Sequence, residues 1–152
     1  MTTNKPYDYK RTALFCYSGS GSTSDTISAA KKFAENGAYT IAITSIEGSP
    51  LTRITSDTIA CVGGFDTGGS DTFHYATRLA ASLALAIELG KEKNINSLDF
   101  KDLRSQLDEV PTAMAERLDD TDKRCWSIAK HSARIRSAII VGSGPNYGTA
   151  EE

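Results

Sequence analysis

The chain opens on a polar lead-in, residues 1–11, that carries Pro6, two tyrosines and scattered charges without a period. A continuous apolar run, Ala13-Leu-Phe-Cys-Tyr17, follows and stops at a serine and glycine cluster, a pattern that predicts a strand buried on both faces. Residues 18–26 (SGSGSTSDT) hold no apolar side chain, and beyond them Ile27, Ala30, Phe33 and Ala34 recur at helical spacing as far as the Asn36-Gly37 stop. Strand, polar loop and helix therefore follow in order. The pattern repeats with a second strand over 39–44 (YTIAIT), a turn over 45–50 (SIEGSP), a short helix from near Leu51 and a third strand over 58–62. Strands alternating with helices imply parallel pairing and an α/β fold.

From about Ser70 the period becomes helical throughout. Leu79, Leu83 and Ile87, with Ala80, Ala84 and Ala86, form a wide apolar face that ends near Gly90. Leu98, Phe100, Leu103 and Leu107 predict a further helix to Val110, where Pro111 either kinks it or opens a third helix carrying Met114 and Leu118. A last helix over 126–135 leads into Ala138-Ile-Ile-Val141, a predicted fourth strand that runs into Gly142-Ser-Gly-Pro-Asn-Tyr-Gly148. A strand ending in a glycine and serine loop thus occurs twice.

Composition narrows the classes. With 152 residues, 39% hydrophobic and 24% charged, the chain can hold one full-sized domain. No apolar run approaches the roughly 20 residues of a membrane span, and the N-terminus lacks an apolar leader, so a cytoplasmic, membrane-free protein is expected. Seventeen basic residues against nineteen acidic ones give no electrostatic support for direct nucleic-acid binding. Cys16, Cys61 and Cys125 are odd in number and far apart, and neither they nor His74 and His131 have metal-ligand spacing. No disulfide, metal or organic cofactor is expected.

The segment with the most chemistry is the loop over 18–26. A phosphate needs donors converging from one side, and a helix N-terminus offers free backbone N–H groups and a positive dipole end. Glycine permits close backbone approach, and serine and threonine add donors without bulk. The loop lacks the terminal GK[ST] of a nucleotide P-loop and the GxGxxG of a dinucleotide site. By composition alone it also reads as a linker or a helix cap, but its place between a buried strand and an amphipathic helix favours a ligand loop. Asp25 reads as a dipole partner rather than a ligand group. Glu151 and Glu152 are adjacent acids whose side chains point apart, which suits a solvated end better than a proton-transfer pair.

The motif S-G-S-G-S-T-S-D-T over 18–26 resembles the S-x-S-G-x-T-x-[DE]-T signature of the SIS (sugar isomerase) domain family. The resemblance continues through I-A-I-T-S at 41–45, S-P-L at 49–51, S-D at 56–57, T-R at 77–78, L-x-x-V-P at 107–111 and G-S-G-P-N-Y-G-T-A-E-E at 142–152, in the order found in double-SIS proteins. It implies that the hydroxyls of Ser18, Ser20 and Thr23 and the backbone of Gly19, Gly21 and Ser22 hold the phosphate of a sugar or sugar amine. His74 falls where the family lines its sugar site, as a possible sugar contact, and Arg78 replaces the lysine of S-T-K. The lysine and glutamate of the isomerising site fall beyond Glu152, so catalytic residues are not assigned and the chain is expected to be a partial copy.

The expectation is a three-layer α-β-α fold with a mostly parallel, flavodoxin-like sheet, incomplete by the resemblance. Residues 1–11 form a lead-in, 12–135 the back of a SIS domain, and 136–152 either the opening of a second such domain or a strand completing the first, beside the strand over 13–17. The implied function is binding of a phosphorylated sugar or sugar amine for isomerisation or deglycation, in a homo-oligomer. The alternatives are a sugar-phosphate sensor, an interaction remnant of a double-SIS enzyme, and an aminotransferase-like piece whose ammonia-releasing part lies elsewhere.

Overall fold

A computed structural model of the chain describes residues 7–61, 72–95, 99–144 and 146–151, without the side chains of Thr72, Phe73 and Glu151. Residues 1–6 of the lead-in, Val62 of the third strand, Ser70, Leu98, Pro145 and Glu152 lie outside the described residues. Two compact units divide the chain, residues 1–107 and 108–152.

The first unit holds a parallel sheet in the order β1 (Ala13–Tyr17), β2 (Tyr39–Thr44), β3 (Asp57–Ala60). The first two strands coincide with the runs over 13–17 and 39–44 that predict them, and the third begins one residue early. Helix α1 (Ser24–Glu35) joins β1 to β2, and α2 (Thr72–Glu92) follows the sheet. The strand period of two sends alternate side chains to opposite faces. On one face Cys16, Ala42 and Leu51 pack with Ala30 of α1, joined by Leu14, Ile27 and Ile54. On the other, Ile41, Ile43 and Cys61 pack with Phe15, Ile59 and Ala81 of α2. This is the expected three-layer α-β-α arrangement, with its core centred on β2. Thr40 and Thr44 are wholly buried within that strand.

The lead-in docks through its aromatic residues. The Tyr7 and Tyr9 rings lie 5.2 and 5.1 Å from the Phe33 ring on α1. Tyr9–Arg11 forms a single 3-10 turn, and its carboxyl end hands the chain to β1. At the far end of α2, the Phe100 ring occupies the space where a side chain at buried Gly90 would stand, so glycine is required there.

Two helix expectations are corrected. The short helix predicted from Leu51 is a run of turns: Leu51 N–H donates to the Gly21 carbonyl of the loop, Thr52 Oγ1 to the Ser49 carbonyl, and Ile54 N–H to Leu51 three residues back. Of the two alternatives at Pro111, no new helix opens there: one helix, α3 (Phe100–Ser132), 33 residues long, runs through it and takes in most of the helix predicted over 126–135. Proline removes a hydrogen bond from a helix interior, but this stretch is exposed all round, so water can satisfy the released carbonyl.

The second unit contains α3 from Asp108 onward, a non-helical stretch and α4 (Asn146–Glu151). The strand predicted over 138–141 is not formed among the described residues: Ile139, Ile140 and Val141 are 92%, 74% and 86% exposed and have no ladder. A strand is defined by its partner, and an apolar run without one stays extended.

Ile43 is wholly buried at the centre of the sheet, whereas Met114 is 66% exposed. Ile43→Ala is expected to cost about 2–5 kcal/mol in urea unfolding, and Met114→Ala within about 0.5 kcal/mol of zero.

Candidate functional site

The loop over 18–23 is positioned by β2 more than by its own sequence. Ser18 N–H donates to the Ile43 carbonyl (3.1 Å), extending the ladder one residue beyond β1. The Gly19 carbonyl accepts from Ser45 N–H (3.1 Å) and from Thr44 Oγ1 (3.2 Å), and the Gly21 carbonyl accepts from Leu51 N–H (2.9 Å). Gly21 N–H closes a tight turn onto the Ser18 carbonyl (3.3 Å). The turn needs φ +62° at Gly21, a conformation that glycine adopts without penalty. A Cβ on Gly21 would fall on Ser49 Oγ and lie 2.5 Å from Ser49 Cβ and 3.1 Å from Thr44 Oγ1. Glycine is therefore required for both conformation and space.

The hydroxyls pair off inside this frame. Ser18, 7% exposed, shares a hydrogen bond with Thr23 (Oγ to Oγ1, 2.9 Å), and Ser20 shares one with Ser22 (Oγ to Oγ, 2.7 Å). Each such pair uses one of its two hydroxyl protons, so each retains one donor. Ser22 N–H also donates to Ser20 Oγ (3.2 Å). Thr23 is the N-cap of α1, but its hydroxyl turns to Ser18 and does not cap the helix. The first intrahelical bond runs from Ile27 N–H to the Thr23 carbonyl (3.0 Å), which leaves the N–H groups of Ser24, Asp25 and Thr26 at the open, positive end of the helix. No residue from 18 to 24 is charged, and Asp25 is the acid of the first helical turn. The loop offers an anion dipoles and hydroxyl donors without a competing cation.

Sequence reasoning names the loop residues and misses their supports. Thr44 and Ser49 are buried, and Ser45 half-buried, around Gly19 and Gly21. The hydroxyls of Ser45 and Ser49 are buried with no hydrogen-bond partner among the described residues. The available signal is polar: T-S follows the apolar Ile41-Ala-Ile43 at the carboxyl end of the strand.

His74 stands half-buried in the opening turns of α2, its carbonyl accepting from Thr77 Oγ1 (3.0 Å). The hydrogen bonds of the loop run within itself and to residues 43–51, so they do not join His74 to it. Arg78, four residues on and on the same helix face, lies close enough to act on Cys61. Burial pushes the Cys61 thiol up from its ordinary 9.0, and the Arg78 charge pulls it back. One turn further, Ser82 Oγ shares a hydrogen bond with Tyr17 Oη (2.8 Å), which ties α2 to the end of β1. The Glu151 side chain and Glu152 lie outside the described residues.

No protein-family model matches the chain. Among curated relatives, glutamine–fructose-6-phosphate aminotransferase (isomerizing) from Thermococcus kodakarensis is 32% identical over 143 residues, 93% of this chain and 24% of the relative. The enzyme of the same name from Pyrococcus horikoshii is 30% identical over 151 residues, 96% of this chain and 25% of the relative. Among solved structures, the C-terminal domain of glucosamine-fructose-6-phosphate aminotransferase from Francisella tularensis superposes with a TM-score of 0.78 over 91% of this chain and 39% of that one, at 22% identity. The part of these relatives that the chain matches is their isomerase (SIS) domain. A candidate phosphosugar isomerase from Clostridium difficile shares the SIS fold, with a TM-score of 0.71 over 84% of this chain and 35% of that one, at 16% identity. The chain spans about a quarter of the length of the curated relatives it matches.

In this SIS chain the contact between Gly21 and Ser49 is directly testable. Gly21→Ala is expected to lower unfolding free energy by at least about 1–3 kcal/mol, from the left-handed backbone and the overlap together. Adding Ser49→Gly should recover the steric share alone, as read by urea denaturation of both variants.

Proposed function

We propose that the loop over 18–23 binds the phosphate of a phosphorylated sugar or sugar amine, and that the chain serves the isomerisation or deglycation of that compound. The observation that supports this most is the convergence of two hydroxyl pairs and the uncapped N-terminus of α1 at the carboxyl end of β1. Ligands of open α/β sheets sit at the carboxyl ends of strands, where helix N-termini present free N–H groups. The names of the relatives, which act on fructose 6-phosphate, agree with that anion.

In this reading the hydroxyls of Ser18, Ser20 and Thr23 hold the phosphate, the Ser18–Thr23 pair with its one remaining donor, and the backbone of Gly19, Gly21 and Ser22 encloses it. Gly21 lets the loop lie flat against Ser49 and Thr44, and this fixes the donors before the ligand arrives. Anchoring the non-reacting phosphate is how binding energy orients a sugar whose reacting carbons lie at its other end. His74, on the same face of α2 as Arg78, is the proposed sugar contact. Residues 12–135 are the proposed extent of the back of one SIS domain, residues 136–152 either the opening of a second or a strand completing the first, and the assembly a cytoplasmic homo-oligomer. Aldose–ketose exchange moves a proton between neighbouring carbons, and none of the loop residues is a base for that step.

Thermal unfolding tests the reading. Fructose 6-phosphate at about 100 times its Kd adds about 2.7 kcal/mol and raises Tm by about 5–10 °C for a chain of this size. The shift should be lost in Ser20→Ala/Thr23→Val, and inorganic phosphate should give a smaller one. A cooperative transition that no ligand moves, or a shift that the double variant retains, contradicts the phosphate loop.

A further inference from the structure

Helix α1 has a capping residue that does not cap. Thr23 stands at the N-cap with φ −61° and ψ 117°, the extended backbone that a capping residue takes, and threonine is among the few side chains suited to accept from an N–H of the first turn. Its hydroxyl makes no such bond. The second device that closes a helix start is also missing, because the third helical residue is Thr26 where a capping box has glutamate or glutamine.

The Thr23 hydroxyl is engaged elsewhere. It shares a hydrogen bond with Ser18 Oγ (2.9 Å), and Ser18 is buried and anchored by its own N–H on the Ile43 carbonyl (3.1 Å). In this rotamer the Thr23 oxygen serves Ser18 and not the first turn of the helix.

A withheld cap costs the empty chain stability, and a second cost lies under the same loop. Ser49 is 4% exposed, its Oγ occupies the space where a Gly21 side chain would stand, and that hydroxyl has no hydrogen-bond partner among the described residues. A loop that leaves donors unused in two places is built for a partner that brings acceptors.

We infer that Ser18 is a positioning residue: it holds Thr23 off the cap and so keeps the Asp25 and Thr26 N–H groups open to an anion. Capping by Thr23 and binding of an anion then compete for the same first-turn donors, and the buried Ser18 hydroxyl decides the competition in favour of the anion. This role is separate from any contact of Ser18 with the ligand. The inference rests on the phosphate reading for the identity of the anion, whereas the withheld cap is a property of the empty chain and is measured without ligand.

Amide hydrogen exchange of the 15N-labelled full chain, read at Asp25 and Thr26, tests it. In the ligand-free wild type both amides should exchange close to the rate of unprotected amides, and Thr23→Ala should leave those rates unchanged. Ser18→Ala should slow one of the two about three- to tenfold, as the released Thr23 hydroxyl caps the helix. Ser18→Ala/Thr23→Ala should restore the fast rate. Wild-type protection that Thr23→Ala removes overturns the inference, as does exchange that Ser18→Ala leaves unchanged or slowing that persists in the double variant. Fructose 6-phosphate separates this result from the phosphate reading. Saturating ligand should protect the same amides in the wild type; if it protects neither, the phosphate reading fails while the ligand-free rates still decide the role of Ser18.

Discussion

The contact on which the site depends is the seat of the Gly21 backbone against Ser49 and Thr44. With no Cβ to hold it off, Gly21 turns at φ +62° and places its carbonyl on Leu51 N–H, while Gly19 reaches Ser45 and Thr44. Those bonds tie the loop to β2 and to the turn after it, so the loop inherits the rigidity of the most buried strand in the sheet. The hydroxyls of residues 18–23 can then pair with one another and still present donors on one side. A larger residue at position 21 would lift the loop from its seat and scatter those donors.

The sequence made legible what depends on local pattern. Ala13–Tyr17 is a continuous apolar run, Tyr39–Thr44 a β-branched and aromatic one, and α1 follows a clear helical period to Asn36-Gly37; all three form as expected. The loop was legible as a polar segment between a strand and a helix, and that is where it forms. Their supports were not. Thr44 and Ser49 look like ordinary small polar residues, and only tertiary approach buries them under the loop. Pro111 reads as a kink or as the start of a new helix, and α3 runs through it, because an exposed helix can lose one bond to water at modest cost. The run over 138–141 reads as a strand from composition, but strand formation requires a partner edge that local sequence does not supply.

The chemistry of the loop sets what it can recognise. Neutral hydroxyls and backbone N–H groups hold an anion through dipoles fixed in place, and selectivity then rests on shape and on the number of donors. The absence of charge from residues 18–24 lets the loop stay ordered when empty, since it buries no unpaired ion. The SIS fold found for this chain joins that design to the carboxyl ends of parallel strands, which is where the proposed function places the ligand.

The most direct measurement is a titration of 15N-labelled chain with fructose 6-phosphate, followed by backbone amide shifts. The account predicts that the largest saturable changes fall on residues 19–26, the loop and first turn of α1, with smaller changes at residues 44–51 that seat it. Saturable changes centred elsewhere, or none at millimolar ligand, would contradict a phosphate site in this loop.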